Sequence, residues 1–353
     1  MLRFIARRLL TAIPVLFGVV ILVFILARVI PGDPCKAALG ERATPQVCDA
    51  YTEREGLNDP LPVQLGRYLG DLLHGDLGDS SSQRRPVSDI LIERLPTTIE
   101  LSMAALGLAI LIGVPLGILA ARKRNSATDV VTMVGANVGV SMPVFWLGLM
   151  LQYLFAVTLK NTALALPPSG RLTPGTIPPP FFETWGLSGN GVLDFLSNFE
   201  LLNAALQWRW DLFWDAFQHL ILPAIALATI PTAIIARMTR SSLLDALGLD
   251  YVRTARAKGL RESGVVVRHA LRNSLLPVVT VIGLSLGTLI GGAILTETIF
   301  GLSGVGKTVF DAITARDYTV VQGFTLVIAV GLVLVNLLTD IVYTFLDPRV
   351  RVT

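Results

Sequence analysis

Eight residues near the C-terminal end, GLSGVGKT (Gly301 to Thr308), carry the spacing of a phosphate-binding loop, G-x-x-x-x-G-K-[ST]. In that chemistry Gly306 lets the backbone close round a phosphate, Lys307 meets its charge and Thr308 holds Mg²⁺. The loop requires a strand before it, a helix after it and a soluble domain of several strands around both. Downstream, LVLVNLLTD imitates a strand that ends in a metal-binding Asp340. Other chemistry is sparse. His74, His219 and His269 are too far apart for metal-ligand spacing, and two cysteines, Cys35 and Cys48, exclude a four-cysteine zinc site. No metal or other cofactor is expected.

The elements available to position these residues are not those of a soluble enzyme. Apolar residues make up 52% of the 353 positions and charged ones 16%, against about 25% charged in ordinary soluble domains. Mean hydropathy is +0.64. Six apolar stretches, roughly 9–30, 99–121, 130–159, 219–236, 275–296 and 320–345, are long enough to span a bilayer as helices. The first follows MLRFIARR but is too long for a signal peptide and lacks a small-residue cleavage site, so it reads as a retained helix. The pI near 9.0 does not indicate nucleic acid, because the net charge is only +3 and the basic residues cluster beside spans.

Lysine and arginine counts orient the chain. Arg3, Arg7 and Arg8 precede the first span, Arg122, Lys123 and Arg124 follow the second, and 237–273 holds eight basic residues against three acidic. Segment 31–96 has seven against eleven, and 161–217 has two against five. Both termini and the basic loops are therefore expected in the cytoplasm. GLSGVGKT then falls outside, beyond the reach of cytoplasmic nucleotide, and LVLVNLLTD belongs to the sixth span. The pattern at 301–308 reads as a chance match in a glycine-rich connector, and the chain as no enzyme.

The most informative segment is the cytoplasmic one, 237–274. Asp250 is placed to cap a short helix, Tyr251 to Lys258, and Gly259 suits its left-handed end. Ala255, Ala257 and Gly259 keep the helix slim enough for close approach by another surface. Arg253 and Arg256 share a face and could meet acidic groups. From Ser263 a second helix turns its valines back toward the protein. The alternative is a solvated basic loop that only obeys the charge rule.

At these residues a resemblance is plain. YVRTARAKGL (251–260) with HALRNSLLPVVTVIG (269–283) is similar to the EAA coupling loop of binding-protein-dependent ABC importer permeases. The wider likeness is to the B-type subunit of the dipeptide and oligopeptide permease family. It runs through IPGDP (30–34), HGDLG (74–78), LPTTIELS (95–102), SMPVFW (141–146), HLILPAIAL (219–227) and RDYTVVQG (316–323). The glutamate that names the loop is replaced by Arg253, followed by Thr254 and Ala255. Segments 172–217 and 301–308 match less well.

The resemblance implies an all-α, polytopic protein of the bacterial inner membrane. It would have six transmembrane helices in the type I importer (MetI-like) fold, with a first helix and external segment over 1–96 and a core over 97–353. It implies a second, similar permease, two cytoplasmic ATP-binding subunits, an external solute-binding protein and lipid as partners. Contact with the ATPases would fall on Asp250, Tyr251, Arg253, Thr254, Ala255, Arg256, Ala257, Lys258, Gly259, His269, Arg272 and Asn273. The implied cargo is dipeptides or oligopeptides; the same architecture also carries nickel complexes, glutathione or sugars. A secondary transporter using an ion gradient is the rival class, and neither midplane carboxylates nor matched discontinuous helices support it.

Three further features stand out. Gly283, Gly287 and Gly291 lie on one face of the fifth span and allow close helix packing, at a pore, against a partner or within the chain. Trp208, Trp210 and Trp214 precede the fourth span as an interfacial anchor or a binding-protein contact. Cys35 and Cys48 share the first external segment, as a disulfide or as two thiols.

Overall fold

The computed structural model describes residues 2–29, 35, 43–54 and 56–346. Among them no β-strand occurs, only an isolated antiparallel bridge between Asp79 and Pro86. The principal helices are α1 (Leu2–Val29), α2 (Val87–Arg122), α3 (Ala127–Ser141), α4 (Val144–Thr158), α5 (Trp210–Leu247), α6 (Asp250–Ala257), α7 (Glu262–Gly292), α8 (Val305–Ala315) and α9 (Tyr318–Leu346). By length and composition α1, α2, α5, α7 and α9 are each long enough to cross a membrane, and α3 and α4 qualify jointly as a bent pair.

That pair corrects the single unbroken span expected over 130–159. The two helices meet at 94°. Pro143 is the cause: its ring clashes with a preceding residue in the α conformation, and Met142 sits extended at φ −79°, ψ 125°. The apolar stretches also understate helix length. α5 runs 38 residues where only 219–236 is apolar throughout, because nothing in ARMTRSSLLDAL opposes a helix before Gly248. Much of the expected cytoplasmic loop 237–274 is therefore continuous with α5 and α7.

The chain groups into two compact units, one of residues 1–98, 179–208 and 303–333, the other of 99–178, 209–302 and 334–353. In the first, Val87 and Ile90 of α2 pack on Val305 and Val309 of α8 and on Val320 and Phe324 of α9. Beside α1, the helix Leu61–Leu73 stacks Tyr68 on Phe24 with centroids 5.9 Å apart, and the Arg28 guanidinium lies 4.1 Å from the Phe24 ring. Cys35 and Cys48 form a disulfide with Cα atoms 5.4 Å apart.

Asp317, fully buried just before α9, ties this unit together. One carboxylate oxygen accepts from the Ser80 hydroxyl at 2.6 Å, the Ser82 hydroxyl at 2.8 Å and the Ser82 N–H at 3.0 Å. The other accepts from the Val320 N–H at 3.3 Å. A buried carboxylate must gather donors in this way or lose its charge.

In the second unit α2, α5 and α7 bury Leu101, Ala105, Leu222, Ala226, Val278 and Leu289. Gly113 and Gly117 let α2 approach α5 closely. A Cβ added at either would lie 2.8 Å from the Thr232 carbonyl oxygen or 2.6 Å from that of Ala236. Asp129 of α3, 4% exposed, receives both arms of Arg240 from α5 at 2.6 and 2.7 Å and the Asn125 N–H at 3.0 Å. Two-pronged pairing of this kind fixes geometry as well as charge.

Burial pushes the Asp317 carboxyl up, but the donors of Ser80, Ser82 and Val320 outweigh it and hold the group below the usual carboxylate range. A depressed folded-state value contributes stability above the unfolded pKa of about 3.9, and that contribution fades as pH falls through the folded value. Melting of the purified protein should therefore shift downward as pH falls below about 4. Asp317→Asn should lower stability at neutral pH by roughly 1–3 kcal/mol, the cost of an amide facing those donors, and flatten the acid dependence. An unchanged acid profile in that variant would show that the carboxylate is not the titrating group.

Candidate coupling surface

α6 is a short helix held by its ends. Its N-cap is Leu249, extended and without a side-chain cap, so Asp250 is the first helical residue and not the cap. The Asp250 carboxylate still suits the positive end of the helix. It lies 3.4 Å from the Arg253 guanidinium, and the Asp250 carbonyl accepts from the Thr254 hydroxyl at 3.0 Å. At the other end the Gly259 N–H donates to the Arg256 carbonyl at 2.9 Å and the Leu260 N–H to the Ala255 carbonyl at 3.4 Å. This double closure requires a left-handed residue, and Gly259 has φ +74°.

The helix has two faces. Val252 and Ala255 are buried against Leu243 and Ala246 of α5 and Val265 and Val266 of α7. Ala255 therefore serves internal packing and does not line an outward slim face. Arg253, Thr254, Arg256, Ala257, Lys258 and Gly259 are exposed, while Tyr251 is half-buried with its hydroxyl enclosed. A Cβ on Gly259 would meet nothing within 4 Å in this chain. Substitution there is opposed by backbone conformation, not by crowding.

The two arginines expected to await acidic groups already have partners within the chain. Arg256 grips Glu262 with two bonds, at 3.1 and 2.7 Å, closing the Gly259 turn against the start of α7. Arg253 faces Asp250. α7 opens with a π-helical turn, Val265–Ala270, a widening frequent at functional sites. Val265 and Val266 point inward, whereas Val267 is exposed, so two of the three valines turn toward the protein. Further along α7, His269 is half-buried and Arg272 and Asn273 are exposed. Residues 250–273 thus form one surface of two helices, clipped at the glycine turn. Sequence reading missed the Arg256–Glu262 clip, whose signal was opposite charges flanking Gly259.

The other singled-out residues fall elsewhere. Gly283 presses on Thr339 of α9, where a Cβ would collide, Gly287 is buried, and Gly291 opens onto free space. Of the series, Gly283 thus makes a close helix contact inside this chain. Trp208, Trp210 and Trp214 are all more than half exposed. At 301–308 a helix, Ile294–Phe300, precedes the glycines. Gly306 lies within α8, the Thr308 hydroxyl donates to the Gly304 carbonyl at 2.7 Å, and Lys307 pairs with Asp311 at 2.6 Å.

The sequence profile of binding-protein-dependent transport system inner membrane components matches residues 113–352, and that of their N-terminal region matches 1–102. The dipeptide transport system permease protein DppB of Alkalihalophilus pseudofirmus is 46% identical, over 99% of this chain and 100% of its own. The di/tripeptide transport system permease protein DppB of Pseudomonas aeruginosa is 47% identical over 99% of each chain, and the dipeptide permease DppB of Escherichia coli K12 is 45% identical over 99% of each. A solved inward-facing MetNI methionine ABC transporter overlaps 71% of this chain and 93% of its own at 16% identity, with a TM-score of 0.46. With both profiles matched in order along a chain of membrane-length helices, this protein belongs to the family of binding-protein-dependent transport system inner membrane components.

Proposed function

We propose that the chain is one of two membrane-spanning subunits of an ATP-driven importer of dipeptides or short oligopeptides. The observation that carries this reading is the end-to-end likeness to permeases named for peptide transport. A second permease completes the pathway, an external binding protein delivers cargo, and two cytoplasmic ATPase subunits supply energy. Both termini and the surface 250–273 face the cytoplasm in this reading, supported by the bias of basic residues. Segment 301–308 does not bind nucleotide: a helix stands where a strand is required, Gly306 lies inside α8, and the Thr308 hydroxyl is bonded to the Gly304 carbonyl.

The coupling follows from the packing of α6. An ATPase that shifts α6 must carry α5 and α7 with it, because Val252 and Ala255 are buried between them and Arg256 is clipped to Glu262. Work enters as differential contact with two arrangements of these helices. No bond is made or broken in this chain.

Gly259→Val forces a β-branched residue into positive φ, at a cost of roughly 1–2 kcal/mol or more. Uptake and ATPase association should fall by about tenfold, the factor that corresponds to ~1.4 kcal/mol, with membrane levels unchanged. Gly259→Asn, which tolerates that conformation, should retain most activity. Normal uptake with a valine there would remove Gly259 from the coupling turn.

Orientation is tested with single cysteines in a background lacking Cys35 and Cys48. Ser188→Cys should react with an impermeant thiol reagent in intact cells, and Ser263→Cys only once the cytoplasmic face is opened; both positions are exposed. The reverse pattern inverts the topology. Photolabelling of the purified complex with an azido analogue of ATP should mark the ATPase subunits and leave this chain unmarked. Label recovered on 301–308 would restore the phosphate loop.

A further inference from the structure

In the first unit, the turn after Ser80, the early turns of α2 and the exposed side of α8 border an open-sided pocket of about 310 Å³. Its wall carries Ser82, Gln83, Arg94, Ser303, Lys307 and Asp311. Each comes from a segment already fixed by other contacts. Ser82 is held by Asp317, α8 by its buried valines, and α2 by Val87 and Ile90. The pocket therefore exists without a ligand to shape it.

Its charges are of both signs and unevenly satisfied. Glu93 makes its close ion pair with Arg85 at 2.6 Å, leaving Arg94 at 3.9 Å from the same carboxylate. Lys307 and Asp311 pair at 2.6 Å, with side chains 32% and 58% exposed. An exposed pair of this kind is worth about 0–1 kcal/mol, so a ligand that takes over its two ends gives up little. Two cations and one carboxylate disfavour a plain cation, and Asp311 disfavours a plain anion. A molecule with a carboxylate at one end and an ammonium at the other meets both.

We infer that this pocket binds a small zwitterion of dipeptide size by its two termini. The ligand carboxylate sits with Arg94 and Lys307, the ammonium with Asp311, and Gln83 and Ser303 supply donors and acceptors for the peptide link. The volume lies at the small end of the range for small-molecule sites, ~300–1,000 Å³, and matches a ligand of dipeptide size. The remaining wall includes Ala312 and Ala315, so it recognises termini and not side chains. The inference rests on peptide cargo and on this unit facing outward, and it gives the permease itself a share of cargo recognition. Binding must be weak, because cargo in transit has to leave as readily as it arrives.

The test uses the assembled permease–ATPase complex in nanodiscs without the binding protein. Saturation-transfer NMR is recorded with Ala-Ala, with N-acetyl-Ala-Ala-amide and with acetate. Ala-Ala should bind, and the other two should give little signal. Arg94→Gln and Asp311→Asn should each weaken Ala-Ala binding by about tenfold, the scale of a lost charge-assisted hydrogen bond, while Arg94→Lys keeps most of it. Equal signal from the blocked peptide or acetate, no signal from Ala-Ala, or indifference to both charge-removing variants would overturn the site. Uptake of Ala-Ala by wild-type vesicles with the binding protein is measured in parallel. Uptake without pocket binding removes this inference alone, whereas absence of any peptide uptake removes the proposed cargo.

Discussion

Hydrocarbon offers a peptide group no hydrogen-bond partner, and that constraint governs where this chain is allowed to stop being a helix. Its apolar stretches are helical almost without exception, and they keep prolines within them: Pro14 in α1, Pro223 and Pro231 in α5, and Pro277 in α7. Pro143 is different, because the chain turns by 94° there instead of continuing. Side chains supply bonds where helices meet or end. Gln152 of α4 donates to the carbonyls of Pro168 at 2.9 Å and Ile299 at 2.7 Å, and the Gly170 N–H donates to the Phe300 carbonyl at 2.8 Å. At these points the backbone outside regular helix is bonded to protein.

Charge obeys a related rule. Asp129, Asp317 and Glu297 are almost wholly buried, and for the first two the solution is explicit. Asp129 has a cation with two parallel bonds, whereas Asp317 has only neutral donors, four of them. The first arrangement joins α3 to α5 through opposite charges; the second stitches a surface turn to the start of α9. Each satisfies a buried carboxylate by a different means, and each ties together segments far apart in the chain.

Helix identity and membrane character were legible because long apolar stretches have one stable form in lipid. The left-handed turn at Gly259 was legible too, since a glycine ending a short helix has a local signature. What escaped depends on distance along the chain. Asp129 and Arg240 are 111 positions apart, and neither residue announces the other. Asp317 and the Ser80–Ser82 turn are likewise joined only by folding. The inward face of Ala255 was hidden because a small residue is compatible with either packing or approach. Helix ends were misplaced where polar residues continue a helix into water, as at 237–247, since hydropathy marks the lipid boundary and not the end of the helix.

α5 has a mechanical consequence. Thirty-eight residues at 1.5 Å each span about 57 Å, nearly twice a hydrocarbon core of ~30 Å. One rod thus joins the exposed tryptophans at one end to the packing around α6 at the other. If it pivots near its middle by about 10°, each end sweeps roughly 5 Å in opposite directions, given that length. A push at the α6 end is then converted into travel at the tryptophan end, to the extent that the helix holds straight across Pro223 and Pro231.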